Sequence, residues 1–318
     1  MSLGEVELNK KLANIDFSDG EILGMLKDLP DACCIFQVVT DPFGTVKDMQ
    51  FLFVNEKYAS LVGKSAPELV GSTFYETVSN RDEDWIRLSY QAAIMRQSVI
   101  NRTYNTKYNK WFEFWAVPVY KKGFCAFIIH DVTAEKREEE NRTIQNNSNR
   151  IIIECAKSMN SNDFKTGINL VLEQLGNELS AARVFVVERK EDGSVGQFYS
   201  WSHKNTGIGL PTVKIFKKFD FFGMWQRQLD EDNISIINDI KSVNEHAPEI
   251  FEKILEGIIT NYMVATLRDH DRIIGYMVAD NYNYEADFDI ENVFETVSMF
   301  VASELSNYNL KQEIDNLR

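Results

Sequence analysis

The chain has 318 residues, about twice the usual domain length, which favours two domains. Its formal net charge is −14, which argues against a nucleic-acid-binding surface, because such surfaces carry clustered Lys and Arg. The four cysteines form no CxxC pair and show no Cys/His ligand spacing, so we expect no metal site. No apolar run approaches the ~18 residues of a membrane span and no signal peptide opens the chain, so we expect a cytoplasmic protein.

The first half reads as two strands, several short helices and three strands. The segments "CCIFQVVTD" and "KDMQFLFVN" flank the turn "PFGT" and predict a hairpin. Three helices follow, of which the last carries Trp85, Leu88, Ala92 and Met95 at helical spacing. The segments "SVINRTYNT", "KWFEFWAVPVY" and "GFCAFIIHDV" then predict strands. This order indicates an antiparallel sheet with helices on one face, an α+β arrangement.

The second half repeats this plan without repeating the sequence. Two helices come first, the earlier one from about Arg142 to Ser158. Strands are predicted in "ARVFVVERK", "SVGQFYSWSH", "PTVKIFKK" and "ISIIND", and helices in "FFGMWQRQL" and "PEIFEKILEGI". A hairpin follows in "YMVATLRD" and "RIIGYMVADNY", and a long helix runs from about Asp289 to the last residue. We therefore predict two domains, each an antiparallel sheet with flanking helices, joined by a long helix.

These patterns resemble tandem PAS–GAF sensory regions of bacterial signalling proteins. The PAS resemblance rests on "FLFVNEKYASLVGKSAPELVG", "WFEFWAVPV" and the terminal "DVT", which place the family's Asn at Asn55 and its Asp-x-Thr at Asp131 and Thr133. The GAF resemblance rests on "ARVFVVERKEDGSVGQFYSWS", "ISIINDI" and "LRDHDRIIGYMVADNY". We therefore divide the chain into an N-terminal segment at residues 1–20, whose start "MSLG" has the form of a cloning remnant, a PAS-like domain at 21–133 and a helical linker at 134–150. A GAF-like domain at 151–307 and the start of an output helix at 308–318 complete the division.

We predict neither a catalytic site nor a cofactor. The four histidines fall in four separate elements, and neither a GGDEF motif nor a histidine-phosphorylation motif is present. The resemblance implies a cysteine in "GSTFYETVSNRDED" for flavin, an axial histidine between Asn55 and Ile129 for haem, and a Cys-His pair for bilin. The sequence has none of the three.

A pocket for a small ligand remains, because ligand pockets are mostly apolar with a few polar groups. Within "WFEFW", Glu113 should point the same way as Trp111 and Trp115, away from the deep core. For this run we favour core packing or a dimer contact over a ligand, and for His203 an exposed strand end. The ligand-binding candidates are Tyr58, Trp111, Phe112 and Phe114 in the first half, and Trp201, His203, Trp225 and Tyr262 in the second.

The helices are the predicted route for a signal. Thr133 is expected to cap the linker helix, along which Ile144 and Ile151 form a thin apolar seam for a partner chain. A single solvated helix is the competing interpretation. The predicted relay residues are Asp131, Thr133, Ile144, Ile151, Ile314 and Leu317.

The predicted function is a sensory input module that dimerises, binds a small ligand, or does both. We expect the full protein to continue into a C-terminal effector in cis, most often a diguanylate cyclase in the resembling architecture. The alternatives are a ligand-free dimerisation scaffold and the input region of a histidine kinase.

Overall fold

The computed structural model describes residues 24, 26–77, 83–106, 108–161, 163–204, 213–229, 232–241 and 259–317. The chain divides into two compact units, Met1–Glu139 and Glu140–Arg318. The boundary falls inside one continuous helix, Thr133–Asn160.

The first unit is built on a five-stranded antiparallel sheet in the order β2-β1-β5-β4-β3. Its strands are β1 (Ala32–Thr40), β2 (Val46–Val54), β3 (Val99–Asn105), β4 (Lys110–Pro118) and β5 (Phe124–Asp131). Four short helices pack on one face of this sheet, as predicted: α1 (Glu56–Val62), α2 (Ala66–Leu69), α3 (Phe74–Thr77) and α4 (Glu83–Ala93). The predicted hairpin of β1 and β2 is confirmed.

Asn55 fixes the turn from β2 into α1. Its side-chain oxygen accepts from the backbone N–H of Tyr58, which caps the helix, and from the N–H of Cys33 on β1. Its amide nitrogen donates to the carbonyl of Asp31 at 2.8 Å. Because Asn55 is buried, these three bonds join β1, β2 and α1 at one point.

The second unit contains another five-stranded antiparallel sheet, in the order β7-β6-β10-β9-β8. Its strands are β6 (Arg183–Arg189), β7 (Val195–Ser202), β8 (Ile234–Ile237), β9 (Tyr262–Asp269) and β10 (Arg272–Asp280). The helices are α5 (Thr133–Asn160), α6 (Phe164–Glu178), α7 (Val213–Lys218), α8 (Phe221–Leu229) and α9 (Ile290–Asn316).

Both faces of the second sheet are covered. One apolar cluster joins the sheet to α5, α6 and α9, and a second joins its other face to α7 and α8. We call the face covered by α5, α6 and α9 the proximal face, and the face covered by α7 and α8 the distal face. The apolar cluster on each face takes the same name. Strand β9 is therefore buried on both sides over most of its length, which explains its near-continuous apolar run.

One predicted strand is wrong. The segment "PTVKIFKK" contains α7, in which Ile215 and Phe216 pack toward the distal cluster while Lys217 and Lys218 occupy the last turn. A short apolar run does not distinguish strand from helix by periodicity, and lysines are favourable near a helix C-terminus. The predicted helix "PEIFEKILEGI" lies outside the described residues.

The predicted architecture is confirmed: two α+β units, each an antiparallel sheet with flanking helices. The predicted C-terminal helix is confirmed as α9, whose N-cap Asp289 accepts from the N–H of Asn292. Within the part of the chain that is described, no helix is both long and apolar enough to cross a membrane.

Candidate functional site

A cavity of about 570 Å³ lies in the first unit, between the sheet and α1, α3 and α4. Its size is within the range of ordinary small-molecule sites. Most of its lining is apolar or aromatic: Tyr58, Leu61, Val62, Phe74, Trp85, Phe112, Phe114 and Ile129. Three of the ligand-binding candidates, Tyr58, Phe112 and Phe114, therefore lie together around one space.

Strand alternation places the two phenylalanines there. Phe112 and Phe114 are two residues apart on β4, so both point to the helix-covered face, where they are buried. The Phe114 ring meets the Trp85 ring of α4 edge to face, with 4.6 Å between ring centroids. Edge-to-face aromatic pairs are favourable, so this side of the cavity is well ordered by its own packing.

Five polar residues complete the lining of the cavity: Lys64, Thr77, Thr103, Asn105 and Tyr108. The Tyr108 hydroxyl donates to the carbonyl of Leu61, and the Thr77 hydroxyl donates to the carbonyl of Thr73 at 2.8 Å. Lys64 and Thr103 are exposed, so the lining of the cavity reaches solvent at these two residues. A mostly apolar lining with a few polar groups suits a mostly apolar molecule that carries a polar group.

Trp111 lies on the opposite face of the sheet and does not line the cavity. Its ring is 5.5 Å from the Tyr104 ring, and it shares its face with Glu113 and Trp115. Trp115 Nε1 donates to Glu113 at 2.8 Å, and Arg102 also bonds this carboxylate. The predicted orientation of Glu113 is thus confirmed, and Trp111 belongs to the outer face of the sheet.

The second-unit candidates do not form one site. Trp201 packs on the proximal face, so close to α6 that a Cβ at Gly176 would lie 2.1 Å from its indole ring. His203 is exposed beside it, with its ring 6.3 Å from the Trp201 ring. Trp225 and Tyr262 are buried in the distal cluster, and the Tyr262 hydroxyl bonds the side chain of Gln228.

The junction between β5 and α5 is held by Asp131 and Thr133. The Thr133 hydroxyl donates to Asp131 at 2.6 Å and accepts from the N–H of Trp111 at 3.0 Å. Lys110 Nζ lies 2.7 Å from the other Asp131 oxygen. The predicted N-cap role of Thr133 is wrong, because the N–H of Lys136 donates to the carbonyl of Val132 and Thr133 is already the first helical residue.

The other relay candidates differ in burial. Ile151 is fully buried in the proximal cluster, which removes it from the predicted seam for a partner chain. Ile144 is 36% exposed, Ile314 53% and Leu317 88%. The thin seam of α5 therefore reduces to Ile144, whereas the end of α9 carries exposed apolar side chains.

Several residues that line the cavity were missed from sequence. Trp85 reads as an ordinary core position of α4, although its indole Nε1 is buried without an acceptor among the described residues. Thr103 and Asn105 are found only from strand register, since Thr103 pairs with Phe112 across β3 and β4. Alternation along "RTYNT" was the signal that would have placed them on the cavity side.

A family profile described as the PAS fold matches residues 33–137, which span the cavity. Among solved structures, the chain is similar to a mutant of the chromophore-binding domain of the Stigmatella aurantiaca bacteriophytochrome in the Pr state. The identity is 14%, the TM-score is 0.38, and the similarity covers 87% of this chain and 96% of that chain. No curated protein gives a significant match.

Proposed function

We propose that the chain is a sensory input module whose first unit binds a small, mostly apolar molecule with one polar end. The observation that carries the proposal is the cavity of about 570 Å³, lined by Tyr58, Phe112 and Phe114 and by a smaller set of polar residues. The match of the surrounding residues to the PAS fold supports a sensory role.

The lining of the cavity is directly connected to the start of α5. Phe112 pairs with Asp131 in the register of β4 and β5, and the next residue toward the N-terminus, Trp111, donates its N–H to Thr133. A ligand that displaces Phe112 would therefore act on the bonds that begin α5. Such a ligand shifts the conformation only by its differential affinity for the two states.

The module would act through other proteins or domains and would not itself be catalytic. We propose a second copy of the chain as one partner and a C-terminal effector in cis as the other, with a diguanylate cyclase ahead of a histidine kinase. Its location would be cytoplasmic. The competing function is a ligand-free dimerisation scaffold, in which aromatic packing alone would account for the first unit.

A covalently attached pigment fits the cysteines of this chain poorly. All four thiols are buried. Burial raises the pKa of Cys33 to about 11, those of Cys125 and Cys155 to about 12, and that of Cys34 well above its ordinary value. Attachment requires an accessible thiolate, so the proposed ligand is bound without a covalent bond.

Filling the cavity tests the proposal. Val62 lines the cavity, so Val62→Phe should occupy part of it, whereas Val70→Phe adds the same volume at an exposed position outside the lining. We expect compounds from a library of small aromatic carbonyl molecules to raise the unfolding temperature of the wild type and of Val70→Phe. At a hundredfold excess over Kd the gain is about 2.7 kcal/mol.

Val62→Phe should fold, and the compounds should no longer raise its unfolding temperature. If the compounds stabilise Val62→Phe as much as the wild type, they bind elsewhere and the cavity is not the site. If no compound stabilises the wild type, the scaffold function is favoured.

A further inference from the structure

Two buried hydrogen-bonding groups in the second unit have no partner among the residues that the structure describes. The Tyr276 hydroxyl, on the central strand β10, belongs to a residue that is 0% exposed. Arg189 Nε, at the end of β6, is likewise buried and unpaired. Buried hydrogen-bonding groups are rarely left unsatisfied, so each of these two requires an explanation.

Strand register brings a second arginine to the same place. Tyr276 pairs with Val187 on β6 and with Thr266 on β9. Arg189 and Arg268 each lie two residues beyond those partners, and both strands run antiparallel to β10. The two arginines therefore flank Tyr276 at the same end of the distal face.

The electrostatics agree with this placement. Burial raises the pKa of the Tyr276 hydroxyl, and the positive charges of Arg189 and Arg268 act in the opposite direction. Neither guanidinium group forms a hydrogen bond or an ion pair with a residue that the structure describes.

The acidic neighbours are already engaged. Asp220, which also influences the Tyr276 hydroxyl, accepts from the N–H of Gly223 at the start of α8. Glu188 accepts from Asn309 at 2.6 Å and from the N–H of Gln197 at 2.7 Å. Glu191 bonds Arg272. None of these three carboxylates forms a hydrogen bond or an ion pair with Arg189 or Arg268 among the described residues.

The place is apolar on one side and open on the other. The Phe222 ring stacks on Tyr276, with 5.5 Å between centroids and 21° between planes, and the Trp225 ring lies 5.3 Å away. Arg268 is exposed, so its charged end reaches solvent. On the apolar side, the aromatic rings exclude water, which would screen the charge of a bound anion only weakly.

We propose that Tyr276, Arg189 and Arg268 bind an oxyanion, the phosphate or carboxylate group of a small molecule. A guanidinium only donates hydrogen bonds, and a buried Tyr hydroxyl can donate, so an acceptor-only group satisfies all three side chains. The competing occupant is an ordered water, which satisfies the donors but not the charges. This site is separate from the first-unit cavity and does not depend on its proposed function.

The test compares unfolding temperatures of the full chain in sodium phosphate, sodium acetate and sodium chloride at one ionic strength and pH. We expect phosphate or acetate, but not chloride, to raise the midpoint by about 2–4 °C. The larger of the two shifts identifies the preferred oxyanion. Arg268→Gln, at an exposed position, should fold normally and lose most of the shift.

Tyr276→Phe removes only the hydroxyl. In chloride it should be as stable as the wild type or more so, because the hydroxyl has no partner, and it should lose most of the oxyanion shift. The matched control Tyr262→Phe breaks a bond to Gln228 and should lower the midpoint in every buffer while keeping the shift. Equal midpoints in the three salts, or an undiminished shift in Arg268→Gln and Tyr276→Phe, would indicate an ordered water only and overturn the proposal.

Discussion

Asp131 is held as an anion by the two groups that it joins, Lys110 and Thr133. Partial burial by itself would raise the pKa of Asp131, but the hydrogen bonds from Lys110 and Thr133 outweigh it and lower the pKa to about 2. Because Lys110 and Asp131 are both substantially exposed, the ion pair itself adds little stability. The role of Asp131 is to fix the first residue of α5 against β4.

The depressed pKa of Asp131 predicts a specific pH dependence. Its stabilising contribution is complete above the ordinary carboxyl pKa of 3.8 and is lost as the pH falls toward about 2. Asp131→Asn should therefore unfold at a lower temperature than the wild type between pH 5 and 7. The two unfolding midpoints, measured by circular dichroism, should converge as the pH falls from 3.8 toward about 2.

Glu68→Gln is the control for Asp131→Asn, since Glu68 also has a lowered pKa, caused by its bonds to Ser65, but lies far along the chain from α5. Glu68→Gln should change the pH dependence of stability but leave the resistance of the α5 junction to proteolysis unchanged. Asp131→Asn should increase cleavage at that junction. A difference between the wild type and Asp131→Asn that stays constant from pH 5 to 3 would contradict the assigned role.

At the scale of elements, two of the isoleucines on α5, Ile144 and Ile151, look equivalent in sequence. Ile144 and Ile151 are seven residues apart, yet Ile144 is 36% exposed and Ile151 is 0% exposed. Between them, the buried Ser148 hydroxyl accepts from the N–H of Asp289 at the start of α9. The later half of α5 is thus part of the second unit, and only the earlier half is free to act as a connecting helix.

Truncation of each isoleucine separates these roles. Ile151→Ala should cost about 2–4 kcal/mol of unfolding free energy, because it leaves a cavity in a packed core. Ile144→Ala should cost less than about 1 kcal/mol, as expected for a half-exposed position. Urea unfolding of the full chain measures both. An equal loss at Ile144 would mean that this side chain is buried in solution by a partner and would restore the predicted seam.

Much of this arrangement could be predicted from local patterns. Alternation in "WFEFW" correctly separated Phe112 and Phe114 from Glu113, because the side-chain period of a strand is fixed by its backbone. The seam of α5 could not be resolved in the same way. Helical periodicity identifies a shared face, but which turn of that face meets a core depends on where α6 and α9 pack.

At the scale of the whole chain, the two units share one strand order. The sequence analysis predicted the shared plan of an antiparallel sheet with flanking helices, but not the order of the strands. Their sites were less predictable. Trp201 and Trp225 belong to the same domain, yet the sheet separates them because α6 covers one face and α8 the other. The arginines beside Tyr276 were missed because Arg189 lies on β6, far in sequence from the hairpin of β9 and β10, and only strand register brings it beside Tyr276 and Arg268.

The final turns of α9 bear on how two chains would meet. Leu310, Ile314 and Leu317 follow each other at steps of four and three, and all are more than half exposed. This spacing repeats the two apolar positions of a coiled-coil heptad, with Ile and Leu in the arrangement that favours two parallel strands. An exposed apolar stripe is a common sign of an interaction surface. We therefore expect two copies of the chain to pair along α9.

Cysteine crosslinking of Ile314→Cys tests this pairing. In a parallel, in-register pair the two copies of residue 314 face each other, so mild oxidation should give a disulfide-linked dimer on a denaturing gel. Asp315→Cys is the control, since the next residue points about 100° away around the helix. The native cysteines add no background, because all four are buried. Equal crosslinking at both positions would indicate random collision, and none at either would leave α9 unpaired and exclude this parallel dimer.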